Sequence, residues 1–300
     1  MIALGVRLAW AATAAIAIGG ALWITAWWAP LFVLMVPAGL IGALAAVLAL
    51  EFAYAWAAAR SSAAQPPALR SLLRAWCGEI GANCRLMAWR VPMRSARLSQ
   101  ATGSQQAGVR GLILVHGYGC NRAIWDAWLT QLDDEKLPCI AINLEPVLSD
   151  IDDYGPLIER AVRTLQHQTG RAPVLVAHSM GGLAARAWWA TDLSTQRLHR
   201  LVTIATPHQG TPMAKFGSGP SAKQMRPLSD WLQRLKAKET PAQAERTLCF
   251  YGDCDNMVIP RAAATLPAAD NRLLTGWGHV AMVDHPAIYT AVVRCLHEPH

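Results

Sequence analysis

Residues 8–50 contain no Asp, Glu, Lys, Arg or His. About 20 apolar residues cross a bilayer as a helix, so this run is too long for one crossing and long enough for two. The segments 8–28, LAWAATAAIAIGGALWITAWW, and 31–50, LFVLMVPAGLIGALAAVLAL, each fit, with Ala29-Pro30 as the turn between them. Trp10, Trp23, Trp27, Trp28 and Trp56 lie near the ends, where indole rings favour the membrane interface. A secretory signal peptide has a shorter apolar core and no second span directly behind it. A cleaved signal or a hydrophobic helical cap is the alternative reading.

Charge placement gives an orientation. Residues 1–110 carry nine arginines, no lysine and two acids, Glu51 and Glu79, a surplus that equals the whole net charge of +7. Residues 111–300 balance, with 18 basic and 18 acidic side chains. Basic residues flanking short loops stay on the cytoplasmic side. Arg7 before the first span and the arginines after the second therefore put both chain ends inside, with anionic headgroups within reach. The expected place is a bacterial inner membrane with the main domain cytoplasmic, and the lipid bilayer is the expected partner. Nucleic acid is excluded as a partner, because the main domain is neutral and carries no reading motif. No protein partner is indicated. The seven cysteines are odd in number and irregularly spaced. Free thiols in a reducing compartment are the simplest reading, and an inverted topology would favour disulfides instead.

The chain divides into a helical hairpin at 1–58, a linker at 59–75 broken by Pro66-Pro67, and a domain at 76–300. Two short strands are expected around 84–91 and 94–99, followed by a turn over 101–111. From residue 110 the pattern turns regular. GLILVHG, PCIAINL, PVLVAHS, LHRLVTIATP, ERTLCFYGD and NRLLTG read as strands. Helical stretches such as YGPLIERAVRTLQHQTG alternate with them, which implies a mostly parallel sheet with helices on both faces. The stretch 206–245 interrupts this order and has the length of a lid-like insertion, with one expected helix, LSDWLQRLKAK.

Ser179 stands between the third of these strands and a helix, in Ala177-His178-Ser179-Met180-Gly181. A strand, a one-residue corner and a helix make a nucleophile elbow, usually G-x-S-x-G. Small residues two before and two after the serine let strand and helix nearly touch, and the helix N-terminus favours developing negative charge. The alternative is an N-cap serine, worth about 1 kcal/mol to the helix. LVHGYG at 114–119 can supply a second oxyanion donor, the Tyr118 N–H, beside that of Met180. His116 is expected to be structural, with Gly117, His178 and Gly181 supporting the two loops. YGDCDNMVIP offers two carboxylates as the triad acid, of which Asp255 is preferred to Asp253 because it lies deeper in the loop. GWGHVAMVDHP offers His279 as the base, with His285 as the lesser candidate.

These stretches, with TPHQGT at 206–211, resemble the α/β-hydrolase superfamily, and within it bacterial lipases and esterases of the triacylglycerol-lipase type. The resemblance covers about 110–296 and leaves the first 75 residues unmatched. It implies an α/β-hydrolase fold, which would follow the transmembrane hairpin expected from the apolar run at 8–50. It also implies a Ser179–His279–Asp255 triad that cleaves carboxylic esters through an acyl-enzyme, with no metal or organic cofactor. The calcium ligands of many secreted lipases have no match here. The hairpin, the lid-sized insertion and the aromatics Trp125, Trp128, Trp188, Trp189 and Trp231 point to a lipid or other apolar ester. Another serine hydrolase or acyltransferase, such as a thioesterase or amidase, is the enzymatic alternative. A non-catalytic binding module of the same fold is the alternative of another class.

Overall fold

The computed structural model describes residues 2–23, 29–60, 65–94, 109–191 and 196–298. Two helices open the chain, α1 (Ile2–Trp23) and α2 (Ala29–Arg60). Both are long and apolar enough to cross a membrane. Ala29-Pro30 is the first turn of α2 rather than a loop, because a helix's first amides need no intrahelical partner and proline is tolerated there. Residues 24–28, with Trp27 and Trp28, lie outside the described residues. The second helix continues ten residues past the apolar run, to Arg60, whose guanidinium sits 4.6 Å over the Trp56 ring.

The reading of 59–75 as linker and of 84–91 as strand is corrected. A helix, α3 (Leu69–Arg85), starts two residues after the Pro-Pro pair and runs into a π-helical segment, Leu86–Arg94. Leu86 and Val91 are both buried and five residues apart. That spacing is one turn of an i→i+5 helix, and it matches neither the 3.6-residue period of an α-helix nor the two-residue period of a strand. The expected strand at 94–99 falls, after Arg94, outside the described residues, as does the turn at 101–111 up to residue 108. Trp76 on α3 donates its indole N–H to the Ala45 carbonyl of α2 at 2.9 Å. Leu48 and Phe52 of α2 then pack with Ala75 and with Cys254 of the main domain.

The six expected strands form one parallel sheet. They are β1 (Leu112–Val115), β2 (Cys139–Ile142), β3 (Val174–His178), β4 (Arg200–Ile204), β5 (Thr247–Gly252) and β6 (Asp270–Leu274), in the order β2-β1-β3-β4-β5-β6. The central strands β1 and β3 are buried along their whole length, which is why they read as unbroken apolar runs. Alternation still assigns their faces. Leu112, Leu114, Val174 and Val176 pack against α4 (Asp126–Asp134) and α10 (Pro286–His297). Ile113, Val115, Leu175 and Ala177 pack against α5 (Gly155–Thr169) and α6 (Met180–Trp189). The α5 helix ends on Gly170 in the left-handed region, φ 68°.

The insertion holds more structure than the one expected helix. It contains α7 (Gly219–Gln224), α8 (Asp230–Lys238) and α9 (Pro241–Glu245), the last started by a Thr240/Gln243 capping box. Polar groups tie both of its ends to α6. The Arg186 guanidinium, 4% exposed, makes two 2.7 Å bonds to the Glu239 carboxylate and donates to the His208 carbonyl. Arg186 also donates to His208 Nδ1, so that His208 Nε2–H donates to Thr203. Burial, then the Arg186 charge, holds the His208 pKa well below its usual value and the ring neutral. Breaking a buried pair leaves an uncompensated charge, so Glu239→Ala should cost about 3–5 kcal/mol in chemical denaturation. Glu239→Gln, which keeps an acceptor, should cost less.

Candidate active site

Ser179 sits at φ 54°, ψ −127°, a backbone conformation that L-residues rarely adopt. The corner is held from both sides, by Ser179 N–H to Ile204 O at 2.9 Å and by Gly182 N–H to Ser179 O at 3.0 Å. The serine hydroxyl caps no helix. It donates instead to His279 Nε2 at 3.0 Å. The imidazole's Nδ1–H then donates to the Asp255 carboxylate, 3.1 Å from each oxygen. Asp255 and His279 are 5% and 6% exposed. The structure thus joins three expected residues, which follow β3, β5 and β6, in one hydrogen-bonded line.

The two lesser candidates are engaged elsewhere. Asp253 accepts from the Gly276 amide at 2.8 Å, where glycine adopts φ 75°. His285 caps α10 by accepting from Ala287 N–H and stands edge-on to Trp277 at 4.6 Å. Asp255 receives two further amides, those of Met257 and Val258, at 2.8 and 2.9 Å. These donors hold its carboxylate in place.

The supporting glycines are required by contact. A Cβ on Gly181 would come within 2.4 Å of the His116 carbonyl oxygen, and one on Gly117 within 2.8 Å of Ser179 Cβ. The loop after β1 is therefore pressed against the elbow. This brings the Tyr118 segment beside Met180, the first residue of α6, whose own N–H has no intrahelical acceptor. Both ring nitrogens of His116 are engaged by backbone: Nδ1–H donates to Gly117 O at 2.8 Å, and Nε2 accepts from Leu144 N–H at 2.9 Å. Burial lowers its pKa to about 4. His178 Nε2–H donates to the His279 carbonyl at 3.2 Å, and their rings lie 4.7 Å apart.

Three residues of the site carry no role in the sequence reading. Asn256 Oδ1 accepts from His279 N–H at 3.2 Å, while its Nδ2 donates to Glu51 of α2 at 2.7 Å. Glu79 of α3 is 1% exposed and accepts from Val280 and Ala281 N–H at 2.9 Å each. Gly278 leaves room for it, since a Cβ there would meet Glu79 Oε2 at 2.5 Å. One sequence signal was present: Glu51 and Glu79 are the two acids among the nine arginines of residues 1–110. Burial raises the Glu79 pKa, while the two amide donors favour its ionised form. Burial alone would also depress the His279 pKa. The charge and hydrogen bond of Asp255, with Glu79 and Glu51 behind it, outweigh that and leave it above 6.5.

A cavity of about 770 Å³ opens over Ser179 and His279, a size suited to a small molecule or an acyl chain. Its walls include Tyr118, Met213, Phe216, Met225 and Met257, and Val47 and Leu50 of α2. The five tryptophans expected near the site do not line it. Trp125, Trp128, Trp188, Trp189 and Trp231 are all buried in the core on the two faces of the sheet. Helical spacing does not distinguish a core aromatic from a cavity aromatic. Among the described residues no cluster of His, Cys, Asp and Glu forms a metal site. Glu79→Gln would set an amide nitrogen against a buried backbone N–H. It should cost about 1–3 kcal/mol in urea denaturation, the range for an unsatisfied buried donor.

Comparison with known proteins agrees with this architecture. The profile of the Alpha/beta hydrolase family matches residues 112–253. A Bacillus licheniformis lipase in its mature form superposes with TM-score 0.54 at 17% identity, covering 63% of this chain and 92% of that one. The propeptide form of that lipase gives 0.55 at 16%, covering 64% and 52%. Aspergillus fumigatus lipase B gives 0.59 at 18%, covering 67% and 56%. This chain thus spans little more than half the length of the last two. No curated protein matches its sequence. With a parallel sheet ordered β2-β1-β3-β4-β5-β6, a strand–Ser179–helix corner and these likenesses, the chain carries the α/β-hydrolase fold behind two apolar helices.

Proposed function

We propose that this chain is a membrane-anchored serine hydrolase that cleaves carboxylic esters of lipid or other apolar type. The observation that carries the reading is the line Ser179 Oγ–His279–Asp255 at a strained strand-to-helix corner, beneath an apolar cavity. His279 takes the proton from Ser179 as the hydroxyl oxygen attacks the ester carbonyl. The N–H groups of Met180 and Tyr118 receive the tetrahedral oxyanion. The alcohol then leaves with the proton from His279, and water releases the acid by the same steps in reverse order. Asp255 holds the imidazole in the tautomer that leaves Nε2 free to accept, and stabilises its cation. Asn256, His178 and Glu79 position the His279 backbone.

The anchor rests on α1 and α2, and its orientation on the arginines of residues 1–110. The arginine surplus supports a catalytic domain on the cytoplasmic face, in a bacterium at the inner membrane.

Two tests follow. In detergent, a fluorophosphonate should label the full chain and leave Ser179→Ala unlabelled, and turnover of nitrophenyl esters should vanish with the label. Asp255→Asn should lower kcat by about 10^4-fold, the loss expected when the base is held in the wrong tautomer. A folded wild-type chain that takes no label would overturn the reading. The pH profile supplies the second test. His279 works as a base only when neutral, and its pKa lies above 6.5. kcat/KM should therefore rise with pH through a midpoint above 6.5. Glu79→Gln removes a negative charge that favours the imidazolium, so its midpoint should fall.

A further inference from the structure

The cavity over Ser179 is not closed by the α/β domain alone. Val47, Leu50, Glu51 and Tyr54 of α2 line it. At 100° per residue these four fall on one side of the helix. The neighbouring side, Leu44, Leu48 and Phe52, packs on α3 and on Cys254, next to Asp255. One face of α2 is thus fastened to the loop that carries the triad acid, and the adjoining face looks into the cavity. The fastening is also polar, through Glu51 to Asn256.

The level of this contact along α2 is set by the sequence. The apolar segment 31–50 is 20 residues long, about 30 Å of helix and the thickness of a bilayer's hydrocarbon core. Glu51 is the first charged side chain after Arg7. The cavity-lining stretch therefore straddles the edge of the hydrocarbon, where the ester groups of bilayer lipids lie. On this helix Leu50 is 73% and Val47 53% exposed, and in a bilayer that apolar surface meets acyl chains rather than water.

We infer that α2 is one wall of the substrate site, and that the substrate is an ester of a lipid held in the same bilayer. Its acyl chain passes along Val47, Leu50 and Tyr54 to reach Ser179 without crossing water. The inference rests on the serine-hydrolase reading above and names its substrate class and route.

The test uses the full chain in liposomes and a long-chain alkyl fluorophosphonate with a diazirine near the chain end. Ser179 Oγ displaces fluoride to form a P–O bond, its proton passing to His279. Light then expels N2 from the diazirine, and the carbene inserts into whatever lies beside the chain. Peptide mass spectrometry should find that insertion within residues 47–54. Insertion confined to the α/β domain, with Ser179 phosphonylated, would overturn the inference and leave the hydrolase reading standing. An unmodified Ser179 peptide would overturn both. An independent measurement is the ratio of long-chain to short-chain ester kcat/KM. Val47→Trp and Leu50→Trp should each lower it about tenfold, the scale of one or two evicted methylenes. Leu40→Trp, on the same helix but away from the cavity, should leave the ratio unchanged. A ratio unmoved by both cavity-side tryptophans would also overturn the inference.

Discussion

The first residue of α6 can follow the last residue of β3 after a single corner only if nothing larger than glycine stands at 181 and 182. A Cβ at Gly181 would meet the backbone of β1's exit loop at 2.4 Å, and one at Gly182 would meet the Thr206 side chain at 2.1 Å. That closeness forces Ser179 to positive φ, a strain of about 1–3 kcal/mol that the surrounding packing must hold. The ladder bond to Ile204 O and the bond from Gly182 N–H fix the corner, so a side chain that would otherwise cap the helix points away from it. The same closeness presses Gly117 against Ser179 and brings the loop that follows β1 to the mouth of the cavity. Ser179 and the Gly117 loop are thus placed by one packing constraint.

The histidine is placed differently. Its loop follows an edge strand, β6, most of which is exposed, and the sheet alone offers it little support. Support arrives as hydrogen bonds from three directions. Asn256 receives its N–H, His178 donates to its carbonyl, and Glu79 gathers the next two amides. Burying a carboxylate is costly unless donors surround it, and here the donors are Asn83 Nδ2 and the two backbone N–H groups that follow His279. The charge also favours the imidazolium. One buried group therefore serves geometry and proton affinity together.

How much of this is legible in sequence follows from how local each signal is. The continuous apolar runs of β1 and β3, the small residues around Ser179, and an acid and a histidine after the fifth and sixth strands are all written within ten residues or fewer. Glu79 meets Val280 across 201 residues, and Glu51 meets Asn256 across 205. No local pattern carries such a pairing. The π-helical segment escapes for another reason, since the five-residue spacing of Leu86 and Val91 fits neither a helix nor a strand template. The tryptophans mislead because apolar spacing reports burial without saying whether the far side is protein or cavity.

The division into an anchor, a linker and an enzyme domain is where the sequence reading and the structure differ most in consequence. A hairpin that only fixed location would need no contact with the loops after β5 and β6 and could tolerate any side chain on its inner face. Instead each of the two acids before residue 111 is spent on the loops of Asp255 and His279, one from α2 and one from α3. Leu48 and Phe52 bury themselves beside Cys254. A carboxylate set among apolar side chains is costly to keep unless it has a partner. Its partner here is the asparagine that orients the histidine. The geometry of the site therefore depends on how α2 is seated, because the long apolar helix that lines the cavity is also bonded, through Asn256, to the backbone of His279.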